Sequence, residues 1–112
     1  MWIFTTSGFV SAVRNKSDCT IMVRSRDRAS LKKISAKCQS PIKKTPFADY
    51  PYRVFIKHED FISWIADEAS ALNYGNFKSE VAVIRGRNFS SALGEVWSTM
   101  RKVEDSTARD NS

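Results

Sequence analysis

The chain has 112 residues, a net charge of +6, and a composition of 42% hydrophobic and 27% charged residues that matches ordinary globular domains. That length suits one core of the usual domain size. The composition excludes collagen, a repeat array, a disulfide-stapled mini-protein and wholesale disorder, and seven Phe, three Tyr and three Trp can fill a core.

Trp2–Thr5 and Phe9–Val13 are rich in β-forming residues and flank Ser7-Gly8. Gly8 can take positive φ, so a tight hairpin is expected there. Arg14–Asp18 reads as a polar turn. Thr20–Arg26 alternates, with Ile21, Val23 and Ser25 on one face and Met22, Arg24 and Arg26 on the other. Asp27 is placed to cap a short amphipathic helix near Ser30. Leu31, Ile34 and Cys38 form its apolar side, and Lys32, Lys33 and Lys37 face away. Gln39–Asp49 holds Pro41 and Pro46 and reads as a loop. Tyr50–Lys57 is a second alternating strand, setting Tyr52, Val54 and Ile56 against Arg53, Phe55 and Lys57. Pro51 near its start fits an edge strand or the beginning of a strand.

His58-Glu59-Asp60 opens the strongest helix, its acids at the positive end of the helix dipole. Phe61, Ile62, Ile65, Ala69 and Leu72 make its expected stripe, and Asn73-Tyr74-Gly75 stops it with Gly75 at C′. Asn76 caps a short helix carrying Phe77, Val81 and Ile84, which Gly86 ends. Phe89, Leu93, Val96, Trp97 and Met100 form the stripe of a last helix. Gly94 inside it costs about 1 kcal/mol against Ala, which close packing would explain. Residues 1–103 then make a single domain, and 104–112 a polar, disordered tail. The order ββ-β-α-β-α-α-α specifies an α+β fold, an antiparallel sheet of about four strands with helices packed on one face.

Charge is unevenly divided. Residues 1–57 carry 12 basic and three acidic side chains, whereas residues 58–112 carry six basic and nine acidic. The first half therefore attracts polyanions. With the aliphatic faces turned to the helices, Arg24, Arg26, Arg53, Phe55 and Lys57 share the other side of the sheet, helped by Lys32, Lys33, Lys43 and Lys44. Cations interleaved with an aromatic ring suit single-stranded nucleic acid, which offers phosphates and stacking bases. The expected function is a small basic non-catalytic domain binding single-stranded nucleic acid or another polyanion. The alternative is a protein-interaction or inhibitor module, such as mobile elements carry, docking on an acidic protein surface. A homodimer through a sheet edge or face stays open. Exposed Trp or Phe on the sheet favours that dimer over polyanion binding.

Other constellations carry less. Ala71, Gly75 and Val81 have helix-turn-helix spacing, but Glu59, Asp60, Asp67 and Glu68 on the preceding helix would repel phosphate. Asn73–Lys78 could hold an anion or simply cap two helices. His58 beside Glu59 and Asp60 lacks a nucleophile elbow, so no catalytic residue is assigned. Cys19, Cys38 and His58 are too few for a zinc site, and no metal or cofactor is expected. No apolar run reaches the roughly 20 residues of a membrane span, and no signal segment is evident. A cytoplasmic location follows as the expectation.

Three pieces are familiar together: Trp2-Ile3-Phe4-Thr5 followed by Gly8-Phe9 and Ser11, Tyr50-Pro51-Tyr52-Arg53, and Asn73-Tyr74-Gly75-Asn76-Phe77-Lys78. They resemble a family of small uncharacterised bacterial proteins of about this length, over most of residues 1–100. The resemblance implies a bacterial cytosolic single domain and brings no activity or catalytic residue with it. Ser30–Lys44 is the segment least like that family.

Overall fold

The β-rich runs of the N-terminal half pair side by side with reversing direction. In the computed structural model, which describes residues 1–104, the strands are β1 (Trp2–Thr5), β2 (Gly8–Arg14), β3 (Ile21–Ser25), β4 (Lys43–Lys44) and β5 (Tyr52–Ile56). All neighbours are antiparallel, in the order β1-β2-β3-β5-β4. The fold is α+β. The expected sheet of about four strands has five, because the stretch read as a loop, Gln39–Asp49, contributes Lys43-Lys44 as β4. Two residues are too few to show alternation, so their pairing leaves no sequence signal. Pro51 lies just before β5, at the beginning of a strand that β4 keeps off the edge.

Packing divides the chain into two compact units, Met1–Gly75 and a second beginning at Asn76. In the first, the hairpin turn between β1 and β2 is centred on Thr6-Ser7, with Thr5 opposite Gly8 and Gly8 at φ +145°. Asp27 accepts a hydrogen bond from the Ser30 N–H at 3.2 Å, the expected cap. A 3-10 turn at Ala29–Leu31 leads into α1 (Lys32–Cys38), which Gln39 ends in the left-handed region at φ 50°. Helix α2 spans His58–Ser70. Val10, Ala12, Ile21, Val23, Val54 and Ile56 from the sheet meet Leu31, Ile34, Phe61 and Trp64 from the helical layer. Full burial of each such aliphatic side chain contributes about 1.5–3 kcal/mol. One face of the sheet is thus committed to the helices, and Cys38 is a half-buried free thiol against this core.

Two expectations for α2 need correction. Its buried residues are Phe61 and Trp64, with Ile65 half-buried, whereas Ile62 and Leu72 are largely exposed. Positions 61, 64 and 65 lie on one side of a 3.6-residue turn, and the indole outweighs an isoleucine in area buried. Gly75 is not the C′ residue: α2 is capped at Ala71, and Gly75 does not have positive φ.

The second unit is a helical hairpin of α3 (Phe77–Arg85) and α4 (Arg87–Met100), followed by a 3-10 turn at Arg101–Val103. The Asn76 side chain accepts from the Ser79 N–H at 2.9 Å and starts α3. Gly86 joins the helices at φ 93°, ψ 170°, a region essentially closed to residues with a Cβ. Val81 and Leu93 are buried, while Val96, Trp97 and Met100 of the expected α4 stripe are exposed. A two-helix hairpin buries only the seam between its members, so a broad apolar stripe is not wholly used by it.

Gly94 is the weak point of α4. A Cβ built there would meet only the Lys78 Nζ, at 3.8 Å, an ordinary contact with the end of a flexible chain. Close packing therefore does not require glycine. Gly94→Ala should stabilise the protein by about 0.5–1 kcal/mol, read as a higher urea midpoint at unchanged slope. An unchanged or lower midpoint would contradict this account of the helix.

Of the expected polar tail, Glu104 is exposed and residues 105–112 lie outside the described residues. No helix among the described residues is long and apolar enough to cross a membrane.

Candidate functional site

The register decides which side chains share the sheet's outer face, opposite the helices. Trp2 stands across from Ser11 and Phe4 from Phe9. Ser11 stands across from Arg24 and Val13 from Met22. Arg24 faces Arg53, Met22 faces Phe55, and Lys43 faces Arg53. Strand alternation then puts Trp2, Phe4, Phe9, Ser11, Val13, Met22, Arg24, Arg53, Phe55 and Lys43 on one surface. None of the five strands contains an acidic residue.

Arg24 and Arg53 are a like-charge pair of the closest kind. The Asn15 N–H donates to the Thr20 carbonyl, which makes residues 15 and 20 a hydrogen-bonded pair. Antiparallel alternation then directs the Arg24 backbone groups to β2, so Arg24 and Arg53 form a non-hydrogen-bonded pair with Cα atoms about 4.5 Å apart. Such opposition costs roughly 0.2–1 kcal/mol. It is relieved by turning the guanidinium groups aside rather than by neutralising them. The Arg24 Nε donates to Ser11 Oγ at 3.2 Å. Arg53 donates from Nε to the Tyr50 carbonyl at 3.3 Å and from Nη1 to Met22 Sδ at 3.5 Å. No carboxylate among the described residues pairs with Arg24, Arg26 or Arg53; the Lys37–Asp67 ion pair lies on the helical side.

Tyr50 is the centre of this arrangement. It lies in the connection from β4 to β5, which is closed by the Thr45 N–H donating to the Pro51 carbonyl at 2.7 Å. Arg24 Cζ lies 4.8 Å from the centroid of its ring and Arg26 Cζ 5.0 Å. Arg26 also donates from Nη1 to the Asp49 carbonyl at 3.0 Å, which ties the loop to the end of β3. The ring then continues into a row of aromatics. Phe9 is 6.4 Å from Tyr50, Phe4 stacks on Phe9 at 4.6 Å, and Trp2 meets Phe9 edge-on at 5.8 Å. Trp2 is 70% exposed. At the other side Lys43 Nζ sits 5.4 Å from the Phe55 centroid.

The sequence-derived candidates separate accordingly. Arg24, Arg53, Phe55 and Lys43 share the outer face, and Arg26, one residue beyond β3, joins them through Tyr50. Lys44 pairs with Tyr52 and turns to the opposite side, where Arg28 also lies over the Tyr52 ring. Lys57 is exposed at the N-cap of α2, past the last paired residue of β5. Lys32 and Lys33 are exposed on α1, in the helical layer. Trp2, Phe4, Phe9 and Tyr50 were not foreseen as part of this face. The alternation that places Trp2 and Phe4 opposite Ile3 is present in β1, but four residues show it only once the register with β2 is known.

Outside this face, His58 is exposed at the first position of α2, and Lys78 lies over Trp97 within the second unit. No protein-family model, curated protein or solved structure matches the chain.

Proposed function

We propose that the outer face of the sheet binds single-stranded nucleic acid. Arg24, Arg26, Arg53 and Lys43 take the phosphates, and bases stack on the row formed by Trp2, Phe4 and Tyr50. The observation that carries this reading is the gathering around one tyrosine of three guanidinium groups with no carboxylate partner among the described residues, continuous with that row. A flat backbone-tracking charge with rings beside it is what a strand with splayed bases requires.

The exposed Trp2 by itself would favour self-association through the face. Two copies laid face to face with these cations in register, however, would set Arg24, Arg26, Arg53 and Lys43 against the same four cations, with no strand carboxylate to separate them. The concentration of positive charge on this face supports an anionic occupant.

Fluorescence anisotropy with a labelled oligothymidylate tests the reading. Affinity should fall about 50-fold between ~50 and ~200 mM salt, the expectation for about four phosphate contacts on a single strand. Absence of binding at the lower salt concentration would overturn it. Capture of a stoichiometric protein partner that survives nuclease treatment, together with that absence, would favour docking on an acidic protein instead.

A further inference from the structure

The two edges of the sheet are managed differently. One edge is β4, two residues long and both lysine, which is a short charged edge of the kind that blocks strand addition. The other is β1, Trp-Ile-Phe-Thr, with no charge, no proline and no glycine. A bare apolar edge of this kind is a template for another strand.

The hydrogen bonds of the first hairpin fix which backbone groups that edge offers. The Met1 amino group donates to the Ala12 carbonyl at 2.9 Å, and the Ala12 N–H donates to the Met1 carbonyl at 2.8 Å. Residues 1 and 12 are therefore a hydrogen-bonded pair, and alternation makes Ile3 and Val10 the next such pair. Trp2 and Phe4 must then point their N–H and C=O groups away from β2, along the free edge. Two donors and two acceptors stand there, disposed symmetrically about Ile3.

We propose that β1 pairs with β1 of a second copy of this chain, antiparallel, on a two-fold axis through Ile3. Trp2 then stands opposite the second copy's Phe4, and Phe4 opposite its Trp2, which completes four backbone hydrogen bonds with no residue left over. The contact is isologous, so it closes at two copies. It brings no ionisable side chain of β1 against its like. It also sets Trp2 beside the second copy's Phe4 on the outer face, so the two aromatic rows become one surface crossing the dimer. A four-residue edge falls short of the roughly 1,200 Å² of a stable standard interface, so the dimer forms at high micromolar concentrations rather than low ones.

Sedimentation equilibrium of the intact protein up to hundreds of micromolar should show reversible dimerisation. Phe4→Pro should abolish it, because the lost N–H is one that points out of the hairpin and proline is tolerated on an edge strand. Amide exchange supplies a readout that needs no variant. The Trp2 and Phe4 amides should gain protection as concentration rises, whereas the Ile3 amide, bonded within the hairpin, should be protected throughout. A protein that stays monomeric at the highest concentration, or Trp2 and Phe4 amides that exchange equally fast at all concentrations, would overturn the proposal. Either result is independent of oligonucleotide binding, because neither measurement contains an oligonucleotide.

Discussion

Replacing Trp64 by alanine is expected to remove about 3–5 kcal/mol of folding stability, the range for truncating a buried aromatic. Trp64 is 3% exposed and packs in the cluster that joins α2 to the sheet, with the Phe61 ring 6.0 Å away. A domain of this size commonly holds about 5–15 kcal/mol in all, so the variant should show a large fall in its urea midpoint. The informative companion is Trp64→Phe. The Trp64 Nε1 is buried and has no hydrogen-bond partner among the described residues. A buried unsatisfied N–H costs about 1–3 kcal/mol, and phenylalanine removes that cost while losing part of the indole's apolar contact. The two changes oppose each other, and Trp64→Phe should lie within about 1 kcal/mol of the parent. Equal destabilisation by both substitutions would mean that the indole nitrogen has a partner or that the pocket tolerates no smaller ring.

How these elements could be read beforehand depended on how much of a period each one displays. β3 shows two full alternations, and its inner face, Ile21, Val23 and Ser25, is the buried one. β5 behaves likewise through Val54 and Ile56. Their pairing in the register that puts Arg24 beside Arg53 follows from both faces agreeing, since a one-residue slip would bury the arginines. The helical stripes were less legible. In α2 the choice between Ile62 and Trp64 turns on a rotation of the helix, which the apolar count alone does not fix. In α4 the stripe is wider than its partner helix can cover. β4 and the placement of Tyr50 were not legible at all. Tyr50 reads as the first residue of a strand, yet it lies outside β5, in a loop, where its ring can reach across to Arg24 and Arg26. That position depends on the closure of the loop at Thr45 and Pro51 and on Arg26 holding the Asp49 carbonyl. The second of these joins segments 23 residues apart in the chain, and local pattern carries no record of it.

Tyr50 also provides the sharpest separation of charge from stacking. Tyr50→Ala should weaken oligothymidylate binding by 5- to 150-fold or so, since one stacked base is worth about 1–3 kcal/mol. The four cations remain, so the slope of log affinity against log salt should hold. Arg24→Gln or Arg53→Gln should do the reverse in kind, each lowering that slope by about 0.7, the share of one phosphate contact on a single strand. Tyr50→Phe keeps the ring under Arg24 and Arg26 and should bind like the parent. Folding is not the confounder, because Tyr50 is only half-buried and each guanidinium–ring contact at such a site is worth about 0.5–1 kcal/mol. Circular dichroism should therefore show Tyr50→Ala folded at assay temperature. If Tyr50→Ala binds as tightly as the parent, the ring is only a rest for the arginines and stacking has no part in recognition. If instead it loses affinity together with slope, the ring acts by gathering the cations, and the bases must stack on Trp2 and Phe4 alone.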